Sequence, residues 1–87
     1  MMLENLINME KNKIILITGG AGRVGQRLAE DLIKNGNKVL LGDLNKSKLV
    51  NLKKKINSTN LEIFAADLTT KKNIDRFINF AFKKFNN

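Results

Sequence analysis

An α/β fold with a three-stranded parallel sheet is predicted by three features of the sequence. Short apolar runs rich in branched residues alternate with longer stretches in which apolar residues recur every three or four positions. Short connections rich in glycine, asparagine and threonine separate these segments. The resulting order, βαβαβα, is typical of a parallel sheet, because parallel neighbours need a crossover connection. Right-handed crossovers then predict the strand order 3-2-1.

The first strand and the first helix flank a glycine-rich turn. Residues 13–18 read KIILIT, a continuous apolar run that is typical of a strand buried on both faces. Residues 24–35 have helical spacing, and Gly36 follows where helices commonly end on a left-handed residue. The apolar residues expected on one side of this helix are Val24, Leu28, Leu32 and Ile33.

The second strand, the second helix and the third strand continue the alternation. Residues 38–42 read KVLLG and predict a buried strand that Asp43 closes. Residues 45–56 predict a helix, and residues 61–66 predict the third strand after a polar loop. The inward residues of this helix are expected to be Leu49, Leu52 and Ile56.

A third helix is predicted after an N-cap at Thr69 or Thr70. Its apolar residues recur at helical spacing, so they form a stripe that needs a sheet to cover it. The stripe consists of Ile74, Phe77, Ile78, Ala81, Phe82 and Phe85.

The composition excludes several kinds of catalytic site. The 87 residues include no cysteine, histidine, tyrosine or tryptophan. Disulfides, thiolate metal sites and cysteine nucleophiles are therefore excluded, and the commonest general base and metal ligand is absent. The two serines, Ser47 and Ser58, lie in or beside the second helix, far from the strand ends where chemistry occurs. No catalytic residue and no metal site are predicted within this sequence.

The net charge of +8 allows three interpretations. A nucleic-acid interface would gather the cations on one face with aromatic or groove-reading groups among them. Here the lysines are spread along the chain, which favours a solvated basic surface. A phosphate-bearing ligand would also benefit from the positive field. We therefore expect no nucleic-acid partner.

Residues 1–12 are expected to form a flexible leader. Their apolar residues are interrupted by Glu4 and Glu10, so the segment is too short and too polar for a signal peptide or a membrane span. We expect a cytoplasmic protein with no membrane partner.

The residues that carry chemistry lie in the first turn. Residues 18–25 read TGGAGRVG and fit the pattern T-G-x-x-G-x-x-G, directly after a strand and at the start of a helix, which is the context of a dinucleotide-binding Rossmann turn. Gly19 is expected to permit the tight turn, Gly22 to let the backbone approach a pyrophosphate, and Gly25 to let the helix pack close to the sheet. The alternative is a glycine-rich turn without a ligand.

The start of the helix supplies the groups that would face the phosphates. Free backbone N–H groups around Arg23 and Val24 are expected to point at the pyrophosphate, helped by the helix dipole. Thr18 belongs to the same turn and is assigned to the binding site with them. The arginine side chain is expected to meet the diphosphate or solvent, although an arginine near this turn could also meet a 2′-phosphate.

Asp43 lies at the end of the second strand, about 20 residues after the glycine turn. A carboxylate at this position accepts hydrogen bonds from the adenosine ribose and repels a 2′-phosphate, so NAD is favoured over NADP. Leu44 follows it and is assigned to the cofactor site as well. The alternative for Asp43 is a cap of the second helix.

Three segments together resemble the N-terminal third of the short-chain dehydrogenase/reductase family. They are ITGGAGRVG in the turn, ADLT at residues 66–69 and FKKFN at residues 82–86. By this resemblance, Asp67 would contact the adenine amino group and the backbone at Leu68 would complete the adenine edge. The alternative for Asp67 is an N-cap of the third helix. Asn86 stands where the family commonly has glycine, a position that asparagine also tolerates. More narrowly, the chain is similar to family members of the surface-sugar or flagellin-modification type.

The resemblance also implies what lies outside these residues. The family's catalytic serine, Tyr-x-x-x-Lys pair and asparagine come later in the chain, and this sequence contains no tyrosine. We expect residues 13–87 to be the N-terminal half of an NAD(P)-binding Rossmann domain that lacks its catalytic half and is inactive alone. The alternative is a non-catalytic module that binds a nucleotide or a partner. In both cases the unpaired edge of the first strand and the phenylalanine stripe favour self-association.

Overall fold

A computed structural model of the chain describes residues 12–85, and these residues form the predicted βαβαβα arrangement. The predicted element boundaries differ from those observed by at most one residue. Residues 1–11 of the predicted leader, and Asn86, lie outside the described residues. The elements are β1 (Ile14–Thr18), α1 (Arg23–Lys34), β2 (Lys38–Asp43), α2 (Lys46–Ile56), β3 (Leu61–Ala65) and α3 (Lys71–Phe85).

The three strands form one parallel sheet with β2 in the centre, which confirms the predicted strand order. Thr18 at the end of β1 lies beside Gly42 in β2, and the neighbouring Asp43 lies beside Ala65 in β3. The three strands therefore end at the same edge of the sheet. Connections that follow parallel strands leave from this edge, which is where ligands bind in open α/β sheets.

The helices cover both faces of the sheet because the side chains of the strands alternate. Val39 and Leu41 point to the face that α1 and α2 cover, whereas Leu40 points to the face that α3 covers. All three are fully buried. Leu49 and Leu52 of α2 join the first cluster, as predicted. The central strand is therefore apolar on both faces, as the KVLLG run indicates.

The predicted inward face of α1 is wrong at Val24, which is 82% exposed. The residues that α1 buries are Gly25, Ala29 and Leu32. The buried face begins at Gly25 because the start of the helix approaches the glycine turn too closely for a larger residue there. The predicted end of the helix is confirmed, since Gly36 has a φ of +87°.

The apolar stripe of α3 is only partly covered. Phe77, Ala81 and Phe85 are buried against the sheet, as predicted. The other three residues of the stripe remain accessible, with exposed fractions of 38% for Ile74, 39% for Ile78 and 57% for Phe82. Half of the stripe therefore lies on a surface that the described residues do not cover.

Candidate functional site

The predicted site residues come together at the edge of the sheet where the strands end. The glycine turn is joined to β2 by the N–H of Gly20, which donates to the Gly42 carbonyl oxygen at 3.0 Å. The segment after β3 is joined to β2 by the N–H of Ala66, which donates to the Asp43 carbonyl oxygen at 3.0 Å. The turn, the end of β2 and the segment at Asp67 therefore form one continuous surface.

The glycine turn depends on two close backbone approaches. Gly19 has a φ of +65°, in the left-handed region that glycine adopts at no steric cost, which fits its predicted role in the tight turn. A Cβ on Gly25 would lie 2.6 Å from the carbonyl oxygen of Gly20. The close partner of Gly25 is therefore the turn backbone, which corrects the predicted contact with the sheet. The contact with the sheet is made by Gly20, whose added Cβ would lie 2.7 Å from Leu41 Cδ2.

Gly22 and the start of α1 present an open backbone. A Cβ on Gly22 would meet no atom within 4 Å, so the space above this residue is free. Gly22 is the N-cap of α1, and no side chain of the described residues caps the helix there. An α-helix leaves its first N–H groups without partners inside the helix, and its dipole makes that end positive. The arrangement suits an anionic group placed over Gly22, Arg23 and Val24.

Asp43 joins the glycine turn to the loop after β2. Its Oδ2 accepts from the N–H of Ala21 at 3.0 Å, and its Oδ1 accepts from the N–H of Asn45 at 3.0 Å. The hydrogen bonds from Asn45 and then Ala21 lower the pKa of the Asp43 carboxyl below its ordinary value, while burial opposes them. The predicted alternative, a helix cap, is not what is observed, because Asn45 is the N-cap of α2 and accepts from the N–H of Lys48.

Asp67 organises the turn between β3 and α3. Its Oδ1 accepts from the hydroxyl of Thr69 at 2.6 Å and from the N–H of the same residue at 3.0 Å. These bonds, the hydroxyl first, lower the pKa of the exposed Asp67 carboxyl. The cap of α3 is instead Thr70, whose hydroxyl accepts from the N–H of Asn73. The alternative role of Asp67 as an N-cap is therefore not observed.

The remaining predicted residues surround this surface. Thr18, Gly19, Arg23 and Asp67 are exposed, and Leu44 is 74% exposed beside Asp43. Leu68 is half-buried, and its side chain packs into the cluster under α3. A shallow, almost wholly apolar notch of about 360 Å³ adjoins the turn and is lined by Arg23, Val24, Arg27 and Leu28.

A larger groove of about 540 Å³ lies elsewhere, between the end of α2 and the start of β3. Its lining includes Lys53, Ser58 and Glu62, and the Lys53 ammonium donates to the Leu61 carbonyl oxygen. This groove lies at the end of the sheet where the strands begin, so none of the predicted site residues lines it.

Sequence reasoning missed three residues that shape the site. Gly20 fits under the turn, Ala21 donates its N–H to Asp43, and Gly42 leaves room for Leu68 and Phe77. A Cβ on Gly42 would lie 2.6 Å from an atom of each of these two side chains. A glycine at the end of an otherwise apolar strand is a signal of such a close approach. No sequence signal marks Ala21, because its contribution is a backbone group.

A sequence profile of the short chain dehydrogenase family matches residues 13–87, which is most of the chain. The chain belongs to this family. The match includes the glycine turn, Asp43 and the segment at Asp67, so the family assignment covers the whole candidate site.

Curated relatives show the same likeness. An uncharacterized membrane protein of Methanocaldococcus jannaschii is 32% identical over 78 residues, which cover 88% of this chain and 23% of the relative. An uncharacterized oxidoreductase of Staphylococcus aureus is 31% identical over 74 residues, covering 85% of this chain and 32% of the relative. Post-translational flagellin modification protein A of Campylobacter coli is 32% identical over 80 residues, which cover 88% of this chain and 31% of the relative. The chain therefore spans about a third or less of the length of these relatives.

Solved structures agree with the fold. A 3-ketoacyl-(acyl-carrier-protein) reductase of Brucella melitensis, crystallised with NADH, is 28% identical and superposes with a TM-score of 0.79, over 86% of this chain and 31% of that one. The C-domain of a bacterial malonyl-CoA reductase with NADP superposes with a TM-score of 0.80 at 23% identity, over 95% of this chain and 14% of that one. Within residues 12–85, no helix is long and apolar enough to cross a membrane.

Proposed function

We propose that this chain binds the adenosine diphosphate part of NAD across the glycine turn and supplies the cofactor-binding part of an oxidoreductase. The observation that carries the proposal is the open backbone at Gly22, directly at the uncapped start of α1. Such a helix start binds phosphate through its free N–H groups and its dipole. Relatives crystallised with NADH and with NADP support a nicotinamide dinucleotide as the ligand.

The remaining site residues take roles along the ligand. The pyrophosphate lies over Gly22, Arg23 and Val24, and the adenosine ribose reaches the carboxylate of Asp43. The adenine lies between Leu44 and the segment at Asp67. Each oxygen of Asp43 already accepts one backbone N–H, and a carboxylate oxygen has two lone pairs. The backbone N–H of Leu44 is a third donor to this carboxylate, so of about four lone-pair sites at least one remains for a ribose hydroxyl.

The preference for NAD over NADP rests on the charge of Asp43. A 2′-phosphate placed beside this carboxylate would add a like charge at short distance, and the lowered pKa of Asp43 keeps the carboxylate ionised at neutral pH. The same group accepts hydrogen bonds from the free 2′-hydroxyl of NAD. We expect NADH to bind at least about tenfold more tightly than NADPH, which corresponds to about 1.4 kcal/mol.

The test is calorimetric titration of the whole chain with NADH and with NADPH, beside the variant Gly22→Ala. The added methyl group has free space in the absence of ligand, so the variant should keep its circular dichroism spectrum and lose NADH affinity. Asn79→Ala, an exposed change in α3, is the control and should bind as the wild type does. A folded wild-type chain that binds neither dinucleotide would refute the proposal. Equal affinity for NADH and NADPH would refute only the preference.

We also propose that the chain alone transfers no hydride, since none of its residues matches the catalytic tyrosine and lysine of the family it resembles. Bound NADH should then keep its absorbance when carbonyl substrates are added. A fall in the NADH absorbance would show that the chain transfers hydride by itself and would contradict this proposal.

A second candidate function, self-association, is favoured by the open side of the sheet. Among the described residues β1 pairs only with β2, so its other edge offers unpaired backbone groups. Phe80 contacts Phe64 of β3, which places Ile78 and Phe82 on the opposite flank of α3, toward β1. The unpaired edge of β1 and the side of α3 that carries Ile78 and Phe82 would therefore both contact a second copy of the chain.

Sedimentation equilibrium tests this second proposal. The wild-type chain should dimerise, and Phe82→Ser should shift it toward monomer. Val24→Ser is the matched control, because it removes an even more exposed apolar side chain from a different helix. A wild-type chain that stays monomeric at the highest accessible concentrations would refute self-association.

A further inference from the structure

The Asp43 side chain makes contacts that a ribose-binding role does not require. Its two oxygens accept from two backbone N–H groups on opposite sides of the site, Ala21 in the glycine turn and Asn45 in the loop before α2. The first of these bonds joins residues 22 positions apart in the chain. The carboxylate is therefore a bridge between two loops of the chain.

Other contacts hold the parts of the turn on either side of the Ala21 N–H. The glycine turn is also tied to β2 by the N–H of Gly20, but that bond ends at the Gly42 carbonyl, one residue before the bridge. The side chain of Ala21 packs against the cluster that α1 and α2 cover, and the Gly22 carbonyl oxygen accepts from the N–H of Gln26 at 3.0 Å. The N–H of Ala21 lies between these contacts and needs an acceptor of its own. Ala21 immediately precedes Gly22, and its N–H donates to Asp43.

We propose that Asp43 is a positioning residue for the phosphate-binding turn: its carboxylate holds Ala21 and so orients the backbone at Gly22 toward the pyrophosphate. This inference rests on the proposed dinucleotide function and adds to the ribose contact. Asp43 acts on the phosphates through the turn and does not touch them. A ligand with phosphates but without ribose hydroxyls must then still depend on Asp43.

Nucleotides that differ only in these hydroxyls separate the two roles. The whole chain and the variant Asp43→Ala are titrated with ADP and with 2′,3′-dideoxy-ADP. If Asp43 positions the turn, the variant should bind dideoxy-ADP at least about tenfold more weakly than the wild type does. If Asp43 serves the ribose alone, both proteins should bind dideoxy-ADP equally, and that result would overturn the proposal. Asp75→Ala removes an exposed carboxylate from α3 and is the charge-matched control, expected to change neither affinity.

Amide hydrogen exchange provides a readout that needs no nucleotide. In Asp43→Ala the N–H groups of Ala21 and Asn45 should exchange at least about tenfold faster, whereas the N–H of Thr69, held by Asp67, should keep its rate. Asp43→Asn is the second variant in case the alanine variant unfolds. It keeps the side-chain volume but only one acceptor oxygen, so exchange should accelerate at one of the two amides. Unchanged exchange at both amides would overturn the proposal.

The two proposals fail in different ways. If the wild-type chain binds neither ADP nor dideoxy-ADP, the dinucleotide function is refuted, and the exchange rates at Ala21 alone decide whether Asp43 holds the turn. If the wild-type chain binds both nucleotides and Asp43→Ala weakens the affinity for ADP alone, the dinucleotide function stands and the positioning role is refuted.

Discussion

A single methyl group added at Gly25 is expected to destabilise the domain, although alanine forms helices better than glycine. The new Cβ would lie 2.6 Å from the Gly20 carbonyl oxygen, 2.7 Å from Gly20 Cα and 2.8 Å from its carbonyl carbon. These are backbone atoms of a turn that is itself bonded to β2, so they cannot rotate away. Overpacking of this kind costs about 1–3 kcal/mol, and contact with backbone favours the upper part of that range.

The gain in helix propensity from glycine to alanine is at most about 1 kcal/mol, so Gly25→Ala should lose a net of about 1–2 kcal/mol. For a domain of this size, such a loss lowers the melting temperature by about 5–15 °C. Urea unfolding followed by circular dichroism measures the change. Gly22→Ala adds the same methyl group into open space, so it should cost only the N-cap preference, about 0.5 kcal/mol. A Gly25→Ala protein as stable as the wild type would refute the close approach described here.

Three further predictions concern the elements around the site. Asn45→Ala removes the N-cap of α2 and should cost about 1 kcal/mol of unfolding free energy. Asn51→Ala, on the exposed side of the same helix, should cost nothing. Equal losses of the two variants in urea titrations would contradict the cap. Leu40→Ala empties a fully buried position and should cost about 2–5 kcal/mol, enough to melt much of so small a domain, while the exposed Leu44→Ala should melt like the wild type. The folded-state pKa of Asp43 lies below its unfolded value of about 3.9, so its contribution to stability is present above that value and is lost as the pH falls through the folded pKa. As the pH falls from about 5 through the folded pKa, urea midpoints should therefore fall less steeply in Asp43→Asn than in the wild type, and parallel curves would contradict the bonds to Ala21 and Asn45.

The architecture could be predicted from the sequence because two periodicities dominate it. The apolar run of β2 is buried on both faces, and Leu49 and Leu52 lie on the helix face that the spacing indicates. The inward face of α1 could not be predicted in the same way. Apolar spacing points to large side chains, whereas the close approach of α1 to the turn requires Gly25, and Val24 is left exposed.

The site could be predicted as a set of positions but not as a set of bonds. The spacing from the glycine turn to Asp43 identified the residue, and the chain places it beside the turn. Its two partners are backbone N–H groups of Ala21 and Asn45, and any residue other than proline could supply such a donor. The path of the backbone in both loops decides these bonds, and side-chain identities do not encode that path directly.

The order of the strands has a consequence for how the chain assembles. Within residues 12–85, each strand pairs with a strand that is its neighbour in the sequence. Each pairing closes one crossover connection, and the entropy cost of such a closure grows only slowly with its length. During synthesis β1 and α1 leave the ribosome first, and β2 then brings Asp43 to Ala21 before β3 exists. The nascent chain can therefore form the hydrogen bond from Ala21 to Asp43 once its first βαβ unit, β1 to β2, has been made.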